Sequence, residues 1–330
     1  MKRFLLIGSA ALIFITGCKK SEAPIENPMD TEEEEVIGSG GLRECGAYEV
    51  LQLKLQEDPG LAGRMNQIEA FTQEYLRNPE AFKLVGDVLE VPVHVNVLYK
   101  TTAENVSNAQ IQSQIDVLNQ DFGASNSDYG STPSTFQGVR SGDIKIRFVW
   151  STSSVTRRSA KKKSWNLNDD MKKSSRGGIN PTNPATTLNI WVCNLSQGYL
   201  GYAQFPGGSL STDGVVIDNN AFGKGNFPLY TQFNLGRTAT HEVGHYFNLR
   251  HIWGDQTCGN DLVGDTPVHN AANGGCPTYP HLSTCSGNPI EMTMNYMDYT
   301  NDACMYMFTL GQASRMHASY AVGGPRASLR

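Results

Sequence analysis

Apolar side chains recur at helical spacing at Leu61, Met65, Ile68, Phe71, Tyr75 and Leu76, which predicts an amphipathic helix ended by Asn78-Pro79. Around Val91-Pro92-Val93-His94-Val95-Asn96-Val97-Leu98-Tyr99 the pattern changes to β-branched alternation, so residues 88–99 are expected to form a strand. Residues 105–122 return to helical spacing, with Val106, Ile111, Ile115, Leu118 and Phe122 on one face. Residues 144–148 and 188–193 are further strands, and 202–205 and 215–217 are short ones. A helix is predicted over 233–248, a loop-like tract rich in Gly, Pro, Asn and Asp over 254–290, and a last helix over 310–320. The basic stretch 161–173, with Trp165 inside it, carries no helical stripe and is expected to be a solvated loop.

The first residues have a different character. Lys2 and Arg3 precede an apolar run over 4–15, too short for a permanent membrane span but suited to a signal-peptide core. Ile15-Thr16-Gly17-Cys18 resembles the bacterial lipoprotein box, which implies lipidation of Cys18; the alternative is an ordinary signal peptide with an incidental cysteine. The chain is therefore expected to be exported, either lipid-anchored to a bacterial membrane or secreted. Residues 19–41 contain an acidic run and Gly38-Ser39-Gly40-Gly41, and offer few apolar groups to offset ordering entropy, so they are expected to be a tether.

A length of 330 residues allows one large domain or two smaller ones. The formal net charge of −5 argues against nucleic acid as a partner. With 33 glycines and 18% charged residues, a loop-rich fold is favoured over a helical bundle. Export permits Cys45, Cys193, Cys258, Cys276, Cys285 and Cys304 to form disulfides.

The chemistry concentrates in His241-Glu242-Val243-Gly244-His245. Histidines four apart on a helix stack on one face, so both imidazoles can reach one ion. A catalytic zinc takes three protein ligands and keeps an open position. His251 lies too far along for the same straight helix face, so the chain must turn back. Asn248 sits where that turn is required, and Asn tolerates the left-handed conformation. Three of the seven histidines fall within these eleven positions, which makes a chance match improbable.

The segment His241-Glu242-Val243-Gly244-His245-Tyr246-Phe247-Asn248-Leu249-Arg250-His251 resembles the metzincin zinc signature, with Asn where relatives usually have Gly. Asn295-Tyr296-Met297-Asp298-Tyr299 resembles the metzincin Met-turn. Gly236-Arg237-Thr238-Ala239-Thr240, Asp265-Thr266-Pro267 and residues 299–305 extend the similarity, which covers about 86–320 and is nearest to the pappalysin/cytophagalysin branch.

The resemblance implies an α/β (α+β) catalytic domain over 88–330. It would have a twisted, mostly parallel mixed sheet, a zinc-binding active-site helix and a loop-rich lower subdomain across a cleft. It implies a metalloendopeptidase acting on proteins or peptides, with one zinc on His241, His245 and His251. Glu242 would be general base, Tyr299 an oxyanion donor, and Met297 the floor beneath the metal. Disulfides Cys258–Cys285 and Cys276–Cys304 are implied, as is a structural calcium at Asp261, Gly264, Asp265 and Thr266. Asp302 is implied at the base of a pocket for Arg or Lys at P1′. Arg43-Glu44-Cys45-Gly46 resembles a cysteine switch, which would make 42–87 a propeptide; a Cys45–Cys193 disulfide is the alternative. Membrane contact is expected only through the lipid, and a monomer is expected. The competing reading is a secreted zinc-binding adhesion protein without proteolytic activity, against which stand three histidines, an intact Glu242 and no CxxC pair.

Overall fold

The computed structural model describes residues 43–82 and 88–329. The leader, Cys18 and the tether lie outside the described residues, as does 83–87 within the expected maturation segment. All the described residues belong to one compact unit.

Two helices come first, α1 (Ala47–Glu57) and α2 (Leu61–Arg77). Strand β1 (Leu89–Tyr99) follows, then α3 (Asn108–Phe122), started by Ser107, whose side chain accepts from the Gln110 amide. A single helical turn, α4 (Ser134–Gln137), precedes β2 (Ile146–Val149) and β3 (Val155–Ser159). The remaining strands are β4 (Leu188–Cys193), β5 (Gly201–Ala203) and β6 (Val215–Asp218), and the remaining long helices are α5 (Arg237–Tyr246) and α6 (Leu310–Tyr320).

The sheet runs β2-β1-β4-β6-β5, with β3 also on β1. All pairings are parallel except β5 on β6. β4 is buried on both faces, as a central parallel strand must be. Ile190 and Val192 face the main core with α3 and α5, while Trp191 and Cys193 face a second core. That second core takes in Cys45, Ala47 and Val50 from the N-terminal segment, so α1 packs on the sheet's second face.

Three readings of the pattern are corrected. Strand β3, Val155-Thr156-Arg157-Arg158-Ser159, was not expected: it lies beside β1 with its last two residues exposed and so carries no apolar alternation. The helix expected over 233–248 is shorter, because Gly236 takes a left-handed φ of 76° just before it. The basic stretch 161–173 is not a solvated loop throughout. Trp165 is buried, and Lys172 is buried with its ammonium 3.0 Å from Asp169 and over the rings of Trp191 and Tyr202. A buried cation needs such a partner, and the linear sequence does not show which acid folds back to it.

Candidate active site

All ten residues of α5 are buried, so its histidines open onto the interior of a cleft rather than onto solvent. His241 and His245 lie one turn apart, with their Nε2 atoms 3.2 Å from each other. The helix ends at Tyr246, and Asn248 takes a φ of 73°. That left-handed step lets the Leu249 amide donate back to the Gly244 carbonyl at 3.0 Å and sends the chain back under the helix. His251 thereby places its Nε2 3.0 Å from that of His245. The three imidazoles and the Cys45 sulfur have ligand atoms all within 4.8 Å of one another, the one such group of His, Cys, Asp or Glu among the described residues.

Each imidazole is oriented through its other nitrogen. His241 Nδ1 donates to the Tyr296 carbonyl (2.7 Å), His245 Nδ1 to the Leu249 carbonyl (2.8 Å), and His251 Nδ1 is bonded to the Asp255 carboxylate. A carbonyl can only accept, so the protons of His241 and His245 sit on Nδ1 and the Nε2 lone pairs face the common centre. Burial and mutual repulsion push His241 well below its usual range and His245 down to about 3, which keeps both neutral. Burial pushes the Cys45 thiol up, with Glu242 adding to the effect. Three imidazoles and a thiol that only a cation would hold as thiolate are a donor set that fits zinc.

Glu242 lies outside that donor set. Its Oε2 accepts from the Cys45 thiol at 3.4 Å, and burial raises its pKa to about 8. Gly201 makes room for it: a Cβ there would lie 3.0 Å from Glu242 Oε1 and 2.9 Å from the Val216 carbonyl. Met297 is fully buried beneath the helix, and a Cβ on Gly244 would lie 2.5 Å from its Sδ. The Tyr299 hydroxyl donates to the Cys45 carbonyl at 3.1 Å, and its ring packs edge-on against His251 and Trp253.

The N-terminal segment fills the cleft. Leu200 donates to the Glu44 carbonyl (2.8 Å) and Gly46 to the Gly201 carbonyl (2.9 Å), so 44–46 lies parallel along the edge of β5. Two residues before Cys45, the buried guanidinium of Arg43 pairs with Asp302 at 2.5 Å, donates to Thr238 Oγ1 at 2.8 Å and lies over the Phe233 ring. Asp302 is itself fully buried and also accepts from the amides of Leu235 (2.8 Å) and Arg237 (3.2 Å).

The loop expected to hold calcium is less convergent. Asp261 accepts from Thr266 Oγ1 and the Val263 amide, whereas Asp265 is committed to Thr309 Oγ1 and the Gly311 amide at the start of α6. Disulfides join Cys258 to Cys285 and Cys276 to Cys304, and Cys45 and Cys193 are free and buried. Sequence reasoning missed Asp255, Trp253, Gly201 and the placement of Arg43. Asp255 had a signal, an acid four residues beyond His251; the others depend on contacts distant in sequence.

The family model described as pregnancy-associated plasma protein-A matches residues 181–321, the tract carrying α5 and the Met-turn. An extracellular metalloprotease of Verticillium alfalfae is 35% identical over 243 residues, covering 71% of this chain and 78% of that protein. The chain belongs to the pappalysin family of metallopeptidases. Mature mirolysin of Tannerella forsythia, solved with a cleaved peptide, is 42% identical over 74% of this chain and 96% of its own, with a TM-score of 0.71. A promirolysin mutant of the same organism is 38% identical over 87% of this chain and 97% of its own, with a TM-score of 0.78. The fold is that of the metzincin mirolysin, and this pappalysin is a metalloendopeptidase.

Proposed function

We propose that the chain is the latent precursor of a zinc-dependent endopeptidase that cleaves before arginine and, more weakly, lysine. The observation that carries the reading is the convergence of His241, His245, His251 and the Cys45 sulfur within 4.8 Å. Zinc held there by the three histidines would supply a Lewis acid that polarises the scissile carbonyl and acidifies water. The Cys45 sulfur would complete that donor set and exclude the reaction, which makes residues 42–87 a propeptide and 88–330 the catalytic domain. The greater share of this chain spanned by the promirolysin structure than by the mature one, 87% against 74%, supports that division. Removal falls within 76–90, with self-cleavage before Arg77 or Lys83. A leader ending at Cys18 would export the precursor and tether it by lipid.

With 43–46 gone, water occupies the place of the Cys45 sulfur, against the Glu242 carboxylate. Glu242 takes its proton and passes it to the leaving amine. The Cys45 carbonyl stands in for the substrate's: the Tyr299 hydroxyl that now donates to it would donate to the scissile oxygen as negative charge develops there. Specificity would follow from Asp302, whose buried carboxylate already holds the guanidinium of Arg43 and would hold that of a substrate arginine in its place.

The test is cleavage of a peptide library by activated enzyme. Cuts are expected before Arg, then Lys, and Asp302→Ala should erase the preference. Glu242→Ala should retain zinc and lose hydrolysis, and Cys45→Ala should activate the precursor. Cleavage that persists under chelation, or full activity of the Glu242 variant, would refute the reading.

A further inference from the structure

Tyr299 belongs to a stretch with little architecture of its own. Between 254 and 309 the only helical element is the turn Asp302–Cys304, and no strand occurs. The height of Tyr299 over the histidines is therefore set outside regular elements, by disulfides, by side-chain hydrogen bonds and by isolated backbone ones such as the Ile252 amide on the Met297 carbonyl (3.1 Å) and the Asp302 amide on the Gln232 carbonyl (3.0 Å). The rings of His251 and Trp253 confine the phenol sideways.

The neighbouring Asp298 is fully buried. Its Oδ1 accepts from the amides of Tyr299 (2.8 Å) and Asn273 (2.9 Å), and its Oδ2 accepts from Asn273 Nδ2 (3.0 Å). The same Nδ2 donates to Glu291 Oε2 at 2.8 Å, and Glu291 Oε1 accepts from the Asn270 amide. Glu291 is fully buried as well. Asn273 thus places both hydrogens of one amide between two buried carboxylates. The flipped amide would set its oxygen against both, so the orientation is fixed. No strong cation shares this role. His269 receives the Met292 amide on Nε2 and so is neutral, with Nδ1 3.9 Å from Glu291 and 3.7 Å from Asp298. His281 is partly exposed and 3.7 Å from Glu291.

We infer that Asn273 is a positioning residue for catalysis: through Asp298 it pins the backbone of Tyr299 and so sets the reach of the phenol toward the scissile oxygen. Asn273 lies three residues before Cys276, whose disulfide to Cys304 ties the same loop to the far side of the Tyr299 segment. The amide of Asn301 donates to the Gly275 carbonyl (2.8 Å), a second tie between these strands of loop. The inference rests on the reading of Tyr299 given above, and the experiment separates the two.

The measurement is a double-mutant cycle in kcat and KM, on enzyme activated from the full chain, with zinc content and thermal unfolding recorded for each variant. Tyr299→Phe alone should lower kcat by up to ~10²-fold. Asn273→Ala alone should lower kcat about tenfold with KM within about twofold, since small misplacement of a donor acts on the transition state. In the Tyr299→Phe background, Asn273→Ala should change kcat by less than about twofold, because the donor it positions is absent. Losses that multiply, or a loss confined to KM, would overturn the inference while leaving Tyr299 in its role. Unchanged kcat in Tyr299→Phe would overturn the role of Tyr299 and the inference with it. If Asn273→Ala does not fold, Asn273→Ser, which keeps one donor, goes through the same cycle with the same criteria.

Discussion

Gly244 stands between the two helical histidines because a methyl group there would run into the Met297 sulfur. Gly244→Ala should displace Met297 and destabilise the fold by about 1–3 kcal/mol, as overpacking of a filled core does; denaturant unfolding measures it. Asp255 acts one step out from the centre, holding His251 by its Nδ1. Asp255→Asn should weaken zinc binding by about 10- to 100-fold, read by competition with a chromogenic chelator. A third residue tunes stability with pH. Burial raises Asp218 from the ordinary 3.8 to about 7, against the pull of the Leu195 and Asn220 amides that donate to it. Between those values the folded state holds a proton that the unfolded state has lost, so the contribution of Asp218 to stability is greatest below about 3.8 and declines as pH rises toward 7. Asp218→Asn should flatten that decline in thermal unfolding followed across the range. The three histidines, Glu242 and Met297 were legible by spacing and resemblance. Gly201, Trp253 and the seat of Arg43 were not, because each is defined by a partner that only folding brings near.

At the scale of elements, agreement between pattern and structure depends on local signals. The last helix has the predicted bounds because Thr309 and Gln312 form a reciprocal capping box at its start. The strand over 89–99 was equally plain, since its alternation records one face on the main core. Strand β3 had no such record. Helix α2 is clamped to α6 by an ion pair: Glu69 makes a bidentate pair with Arg315, at 3.1 and 2.8 Å, and Arg315 is fully buried. Loss of one partner of such a pair is strongly destabilising. Glu69→Gln should therefore loosen α2 and speed activation of the precursor at least severalfold. Activity should end at the wild-type level, since residue 69 precedes the expected cleavage segment; a time course of activity with gel analysis would show both.

For the molecule as a whole, the proposed precursor offers the metal four protein ligands and the mature enzyme three. A chelator should accordingly strip zinc from the mature form at least about tenfold faster than from the precursor, and Cys45→Ala should bring the precursor to the mature rate. Sequence by itself determined the alternation of strand and helix, the ligand-spaced helix that needs a turn at Asn248, and the membership that the motifs announce. Those features are local: periodicity, a cap and a spacing within eleven residues are written in consecutive positions. Tertiary structure alone decided that Arg43 meets Asp302 across 259 positions, that Cys45 rather than Cys193 faces the histidines, and that Lys172 is buried beside Asp169. It also set Asn273 between two carboxylates of the Met-turn loop. Such pairings depend on how the two faces of one sheet are covered, and a buried charge finds its partner only when that packing removes water from both.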